Sequence, residues 1–254
     1  MSKNTTTYKD NELNMFGQPE GQGMYRSEFE HSSCGIGFVA NLKGRKKHSV
    51  ITDALGMLAC MEHRGGTGFD VKSGDGAGIL LQIPHELFLE ECLKIGVKLP
   101  KSGEYGVGMT FFPKDEIKQA ECKDIVERNL TKFKLPLLGY RVVPVDNSDL
   151  GRDSMETEPS VQQIFIGKPE GMSVSEFDRK LFVFRKYTER VANETVAGIG
   201  PDGLNIISCS YKTINYKVQL VTEQVPRYFL ALQNETAVSA IALVHARVST
   251  NTFP

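Results

Sequence analysis

The sequence predicts an α+β protein, a layered αββα body in which sheets are covered by helices. Short apolar runs of strand length recur along the chain, and the stretches between them are apolar on one face only. At 254 residues and 40% hydrophobic side chains, the chain is also long enough to bury a sizeable core.

Taken in order, residues 1–33 are polar and irregular, with Gly17-Gln18-Pro19 and Gly21-Gln22-Gly23 as breakers, and read as a leader with no core of its own. The texture changes at Cys34, where Cys34-Gly35-Ile36-Gly37-Phe38-Val39-Ala40 reads as a buried strand. A basic turn over 43–48 leads to an amphipathic helix carrying Ile51, Ala54, Leu55, Leu58 and Met61 at helical spacing. A glycine-dense loop follows, from Gly65-Gly66-Thr67-Gly68 to Gly74-Asp75-Gly76-Ala77-Gly78, and runs into a strand over 79–83. The pattern then predicts a helix from Pro84 to about 95, a strand over 106–112 and a helix over 115–133. Strands follow over 139–145 and 162–166. Ser173 and Glu176 have the spacing of a capping box and should open a helix reaching about 193. Two strands over 204–210 and 213–220, a short helix over 222–232 and a last strand over 238–246 complete the order.

Lys plus Arg number 30 against 31 Asp plus Glu, so the net charge is −1 and lacks the basic excess of a nucleic-acid or membrane-surface binder. The longest apolar runs, over 78–83 and 237–244, are far short of the roughly 20 residues of a membrane span. The N-terminus has no continuous apolar core of a secretory signal, so the expected compartment is the cytoplasm. The five cysteines are odd in number and contain no CxxC pair, which suggests neither a disulfide framework nor a zinc site, and the histidines have no HxH or HxxxH spacing. No metal is expected.

Four places could carry chemistry. Cys34 begins a strand directly after the leader: it is either a packing residue or, once the leader is removed, a nucleophile whose own α-amino group serves as base. Arg64, beside the glycine loop, either braces that loop or reaches the site. The loop itself is no nucleotide cradle, because it precedes a strand rather than a helix and no Lys-Ser or Lys-Thr follows. Arg247, at the end of the last strand before Ser249-Thr250-Asn251-Thr252, is either a surface cation at a turn or a guanidinium placed to grip a carboxylate bidentately.

Three ordered stretches give the sequence a family resemblance. Cys34-Gly35-Ile36-Gly37-Phe38, then Glu62-His63-Arg64-Gly65-Gly66-Thr67-Gly68 with Asp70 and Ser73-Gly74-Asp75-Gly76-Ala77-Gly78-Ile79, then His245-Ala246-Arg247-Val248-Ser249-Thr250-Asn251-Thr252-Phe253-Pro254 resemble the N-terminal class II glutamine amidotransferase domain of glutamate synthase large subunits. The resemblance covers residues 34–254 and implies a four-layer αββα sandwich of the N-terminal nucleophile hydrolase type, incomplete at its C-terminus. It implies that 1–33 is a propeptide and that Cys34 attacks the glutamine side-chain amide, releasing ammonia and leaving a thioester that water hydrolyses. Arg247 matches the arginine that binds the substrate α-carboxylate, Thr250 and Asn251 line the same pocket, and Arg64 is a supporting residue. By the same resemblance the ammonia is destined for synthase domains outside this chain, where FMN and an iron–sulfur cluster belong, together with a reductase small subunit. This chain itself needs no cofactor.

The sequence departs from the family pattern at Val218, where Gly is usual, and at Val248, where Phe is usual, which points to an altered strand crossing and pocket wall. The family's oxyanion-hole Asn-Gly pair and the acidic residue for the substrate amino group fall beyond Pro254. Since one oxyanion donor is worth about 100- to 1,000-fold in turnover, the isolated chain is expected to be a weak or inactive glutaminase. The alternative readings are a catalytically inert fragment that at most binds, and the amidotransferase domain of another class II enzyme.

Overall fold

In the computed structural model the residues described are 34–67, 70–196 and 203–246. Eight strands and six helices follow one another as β1 (Gly35–Ala40), α1 (Ser49–Cys60), β2 (Ala77–Gln82), α2 (His85–Lys94), β3 (Tyr105–Phe112), α3 (Glu116–Lys132), β4 (Leu137–Val142), α4 (Arg152–Thr157), β5 (Ser160–Gly167), α5 (Val174–Thr195), β6 (Asn205–Ser210), β7 (Thr213–Val218), α6 (Gln224–Tyr228) and β8 (Ile241–Ala246). The strands form two four-stranded sheets, ordered β1-β8-β2-β7 and β4-β5-β3-β6, in which every pairing is antiparallel.

Period-two alternation explains the first sheet. Ile79 and Leu81 pair with Val244 and Ala242 on one side and with Tyr216 and Ile214 on the other, and all six are buried. Helix α1 lays Val50, Ile51, Ala54 and Leu58 into the same core. The opposite face of β1 and β8 is apolar and wet, with Ile36, Phe38, Ile241 and Leu243 exposed. The second sheet is covered on one face by α3 and α5, through Ile125, Val126, Leu130, Phe177, Leu181 and Phe184 against Ile164, Ile166 and Ile206. Its other face belongs to the first core, where Phe88 of α2 meets Phe165 edge-on at 5.4 Å. Residues 213–218 continue directly from β6, yet the two strands do not pair: β6 joins β3 and β7 joins β2, so this short connection ties the sheets together.

The caps follow the sequence signals. Asp115 accepts a hydrogen bond from the Lys118 amide at 2.9 Å and opens α3, and Ser173 accepts one from the Glu176 amide at 3.2 Å and opens α5. The helix expected over 222–232 is instead α6 followed by a separate 3₁₀ turn, Leu230–Gln233, with Phe229 in extended backbone between them. Phe229 is fully buried, edge-on to both Tyr216 and Tyr228, and this packing breaks the helical run. The last strand is shorter than its hydropathy suggests: Ser239 makes an isolated bridge with Lys47 instead of continuing along β1, and its hydroxyl donates to the Ile241 carbonyl. Helix α4 has no apolar periodicity and is not foreseen by the sequence pattern.

Among the described residues, one charged side chain is buried. Arg141 on β4 is 4% exposed and donates to Glu91 at 2.8 Å and to the Gln163 side chain at 3.0 Å. Hydrogen bonds from Arg141 and then Lys94 hold the Glu91 carboxyl below its ordinary value. Substituting Glu91→Leu strands the buried guanidinium and is expected to cost about 3–5 kcal/mol in urea unfolding. Ser173→Ala, which removes only a cap, is expected to cost about 1 kcal/mol in the same measurement.

Candidate active site

Cys34 immediately precedes β1 and is partly buried. The next residue, Gly35, pairs with Ala246; Ala246 pairs with Ala77, and Ala77 with Val218. One row of four residues thus crosses the whole first sheet at the end where Cys34 stands. A side chain at Gly35 would be crowded: a Cβ there would lie 2.9 Å from the Met61 sulfur and 3.1 Å from the Arg64 Cβ. The turn leaving α1, Glu62–Arg64, is therefore seated directly on the residue after the cysteine, and the aliphatic base of Arg64 touches it. Arg64 is exposed and ends that turn, its amide donating to the Met61 carbonyl at 2.8 Å.

The glycine loop begins at this point and folds back on itself. The Asp75 amide donates to the Gly66 carbonyl at 2.9 Å, and Thr67 bridges to Gly74. From there the chain enters β2 at Ala77, in the same row as Gly35. The loop aims a strand and borders the cysteine. Beside it lies a small cavity of about 20 Å³, the size of one water, edged by Gly65, Gly66, Thr67, Gly76 and Thr222, with the Thr222 hydroxyl buried and without a hydrogen-bond partner.

Cys34 and Arg64 are thus brought together. Arg247, Thr250 and Asn251 lie outside the described residues; β8 ends at Ala246, paired with Gly35, one position before Arg247. Of the other cysteines, Cys92 and Cys122 are buried, and burial pushes both thiols up to about 11, which makes them poor nucleophiles at neutral pH. Cys60 is exposed at the end of α1. Among the described residues, no three His, Cys, Asp or Glu side chains come together as a metal would need, and no helix is long and apolar enough to cross a membrane.

A larger cavity of about 660 Å³ lies toward the β7 edge, lined among others by Lys114, Glu158, Val218, Leu220 and Tyr228. Cys34 does not line it. Its central carboxylate is already engaged, since Glu158 accepts from Lys114 and from Tyr228, both at 3.0 Å.

The family model described as glutamine amidotransferases, class II, matches residues 34–254. The chain belongs to this family. It is 43% identical over 239 residues to the glutamate synthase [NADPH] large chain of Bacillus subtilis (strain 168), covering 93% of this chain and 15% of that protein. It is 41% identical over 225 residues to the chloroplastic ferredoxin-dependent glutamate synthase of Oryza sativa subsp. japonica, covering 89% and 14%. It is 40% identical over 237 residues to the glutamate synthase [NADH] of Schizosaccharomyces pombe, covering 93% and 11%. The chain therefore spans about one seventh or less of the length of these relatives.

His245 on β8 is half-buried, and no spacing in the sequence singles it out. In the structure Lys217, Gly78, His245 and Ile36 form the row next to that of Gly35. Gly78 places no side chain between lysine and imidazole. Burial, then the charge of Lys217, lowers the His245 pKa from 6.5. Below 6.5 the unfolded chain therefore binds more protons at this position than the folded one. The stability that neutral His245 contributes is present above pH 6.5 and is lost as pH falls through the depressed folded value. Replacing His245 by Gln should flatten the acid side of a plot of Tm against pH between about pH 5 and 7.5.

Proposed function

We propose that this chain hydrolyses the side-chain amide of glutamine, with Cys34 as nucleophile, and delivers the ammonia within a glutamate synthase. Membership of the class II amidotransferases makes it part of an enzyme family. The observation that carries the site is the pairing of Gly35 with Ala246, with Arg64 packed on Gly35. It supports the reading because Cys34 precedes Gly35, Arg64 packs on Gly35, and β8 stops at the partner of Gly35, Ala246. The four-layer αββα arrangement is part of this reading, supported by α3 and α5 on the face of the second sheet away from the core it shares with the first.

In this reading the Ser33–Cys34 peptide bond is first cleaved. While it is intact the Cys34 nitrogen is an amide and cannot accept a proton; once free, the α-amino group takes the thiol proton. The sulfur then bonds to the amide carbon of the substrate and the carbonyl π-electrons move onto oxygen. Collapse of that tetrahedral species expels nitrogen, which takes a proton and leaves as ammonia. Water attacks the resulting γ-glutamyl thioester, forming glutamate and restoring the thiol. Arg247 holds the substrate α-carboxylate bidentately, as guanidinium geometry favours, with Thr250 and Asn251 beside it and Arg64 in support. None of these steps needs a cofactor. FMN, an iron–sulfur cluster, the synthase domains and a reductase small subunit belong to the rest of the proposed enzyme. The cytoplasm is the proposed compartment, which suits five cysteines that are all free thiols.

Intact-mass measurement of the active protein should show a chain beginning at Cys34; full glutamine use with residues 1–33 still attached would reject the processing step. Cys34→Ala in the full polypeptide should lower glutamine-dependent glutamate formation by about a thousandfold or more while ammonia-dependent formation persists. Retained glutamine use would reject Cys34 as the nucleophile.

A further inference from the structure

The glycine loop bordering Cys34 is held from outside by a segment far away in the sequence, and the contact centres on Asp70. Its carboxylate accepts the Lys72 amide at 3.0 Å and the Ser73 hydroxyl at 3.2 Å. The Lys72 amide foremost, and after it the Ser73 hydroxyl and the Asp153 and Arg152 amides at the start of α4, hold its carboxyl below the ordinary carboxylate value. Helix α4 has no side-chain cap of its own, because the capping position is Gly151. Asp70 supplies that cap from 81 residues earlier, satisfying donors that a helix start leaves free.

The fit depends on Gly151. A Cβ at this buried glycine would lie 1.9 Å from one Asp70 carboxylate oxygen and 2.6 Å from its carbon. The φ of Gly151 is −71°, which any residue can adopt, so close approach rather than backbone freedom calls for glycine there. Two further contacts join the same segments. The Ser154 hydroxyl donates to Ser73 at 2.9 Å, and Lys72 meets Asp149 at 2.8 Å. Asp149 in turn pairs with Arg227 of α6 at 2.8 Å.

Position at the catalytic end follows from the loop's own hydrogen bonds. Asp75 is tied to Gly66 and Thr67 to Gly74, and Gly66 follows by two residues the Arg64 that packs on Gly35. Fixing 70–75 against α4 therefore fixes 64–67 against the first residue of β1. We propose that Asp70 is a positioning residue for the Cys34 site: by capping α4 across Gly151 it sets where Arg64 and Thr67 stand relative to the nucleophile. This rests on the function proposed above.

The test compares Asp70→Ala, Gly151→Ala and the double variant in the full polypeptide. Displacement of about 1 Å at a reacting centre costs up to about 100-fold, so each single variant is expected to lower kcat for glutamine by about 10- to 100-fold. KM should change little, because the groups assigned to the substrate carboxylate follow β8 in the chain, far in sequence from Asp70 and Gly151. Alkylation of Cys34 by iodoacetamide, which needs the thiol but not the loop, should stay within about twofold of the parent. Since both substitutions remove one contact, the double variant should be no worse than either single one. Hydrogen exchange at the Arg152 and Asp153 amides should quicken in all three. Turnover within twofold of the parent, additive losses in the double variant, or unchanged exchange at 152 and 153 would each overturn the proposal. If the parent itself does not hydrolyse glutamine, the proposed function fails; exchange at 64–66 then decides the loop claim, and rates unchanged by Asp70→Ala would reject it.

Discussion

Ala246 lies between Gly35 and Ala77, and that pairing builds the sheet end at which the proposed site stands. β1 and β8 are separated by 200 residues between the end of one and the start of the other, so no local preference joins them. What joins them is a shared buried face, on which Val39, Val244 and Ala242 alternate inward against α1. A slip of one residue would turn Val244 and Ala242 outward and bring Leu243 and His245 in. The register is therefore fixed by packing, and the side groups at the strand ends take their places as a consequence. Gly35 adds a second constraint, because a side chain there would crowd Met61 and Arg64.

Global charge conceals what happens at this end of the sheet. The chain as a whole is nearly neutral, at −1. Locally, Arg64 stands beside Gly35, Lys217 lies across Gly78 from His245, and Arg247 follows β8 in sequence. On the proposed function, cations gathered at this end would attract a substrate that carries a carboxylate. For a site built in this way, composition can exclude partners such as nucleic acid but cannot describe the field that the substrate meets.

How much of this was legible in the sequence depends on the range over which each interaction acts. Strands β1, β3 and β5, helices α1, α2, α3 and α5 and the caps at Asp115 and Ser173 follow from periodicity and from side chains within four residues of the groups they satisfy. Cys34 and Arg64 stand out from their neighbours in the chain, and Arg64 packs on Gly35, the residue after the cysteine. The division of β6 and β7 between two sheets was not legible, because both strands are apolar and the link is as short as a hairpin turn. Arg141 reads as a surface residue in a half-buried strand until Glu91 and Gln163 are seen beside it. Helix α4 has no buried residue to give it a period, and its start is stabilised by a carboxylate that no local pattern connects to it.

The dependence of α4 on Asp70 runs in both directions, which answers a difficulty posed by the glycine loop. Glycine loses more backbone freedom on ordering than other residues, and the loop carries Gly65, Gly66, Gly68, Gly74 and Gly76. Its own bonds, Gly66 to Asp75 and Thr67 to Gly74, close a small ring but give it no fixed orientation relative to the sheet. The 149–154 segment is equally short of internal support, since α4 buries nothing. Each supplies what the other lacks: the loop offers a carboxylate, a hydroxyl and an ammonium group, and the segment offers two free amides, a hydroxyl and the Asp149 carboxylate. Gly151 is the condition for the exchange, because it lets the carboxylate come directly against the helix start. Two weakly ordered pieces thereby become one ordered surface, and the glycines beside Arg64 remain free to follow the backbone path that the cysteine end of the sheet requires.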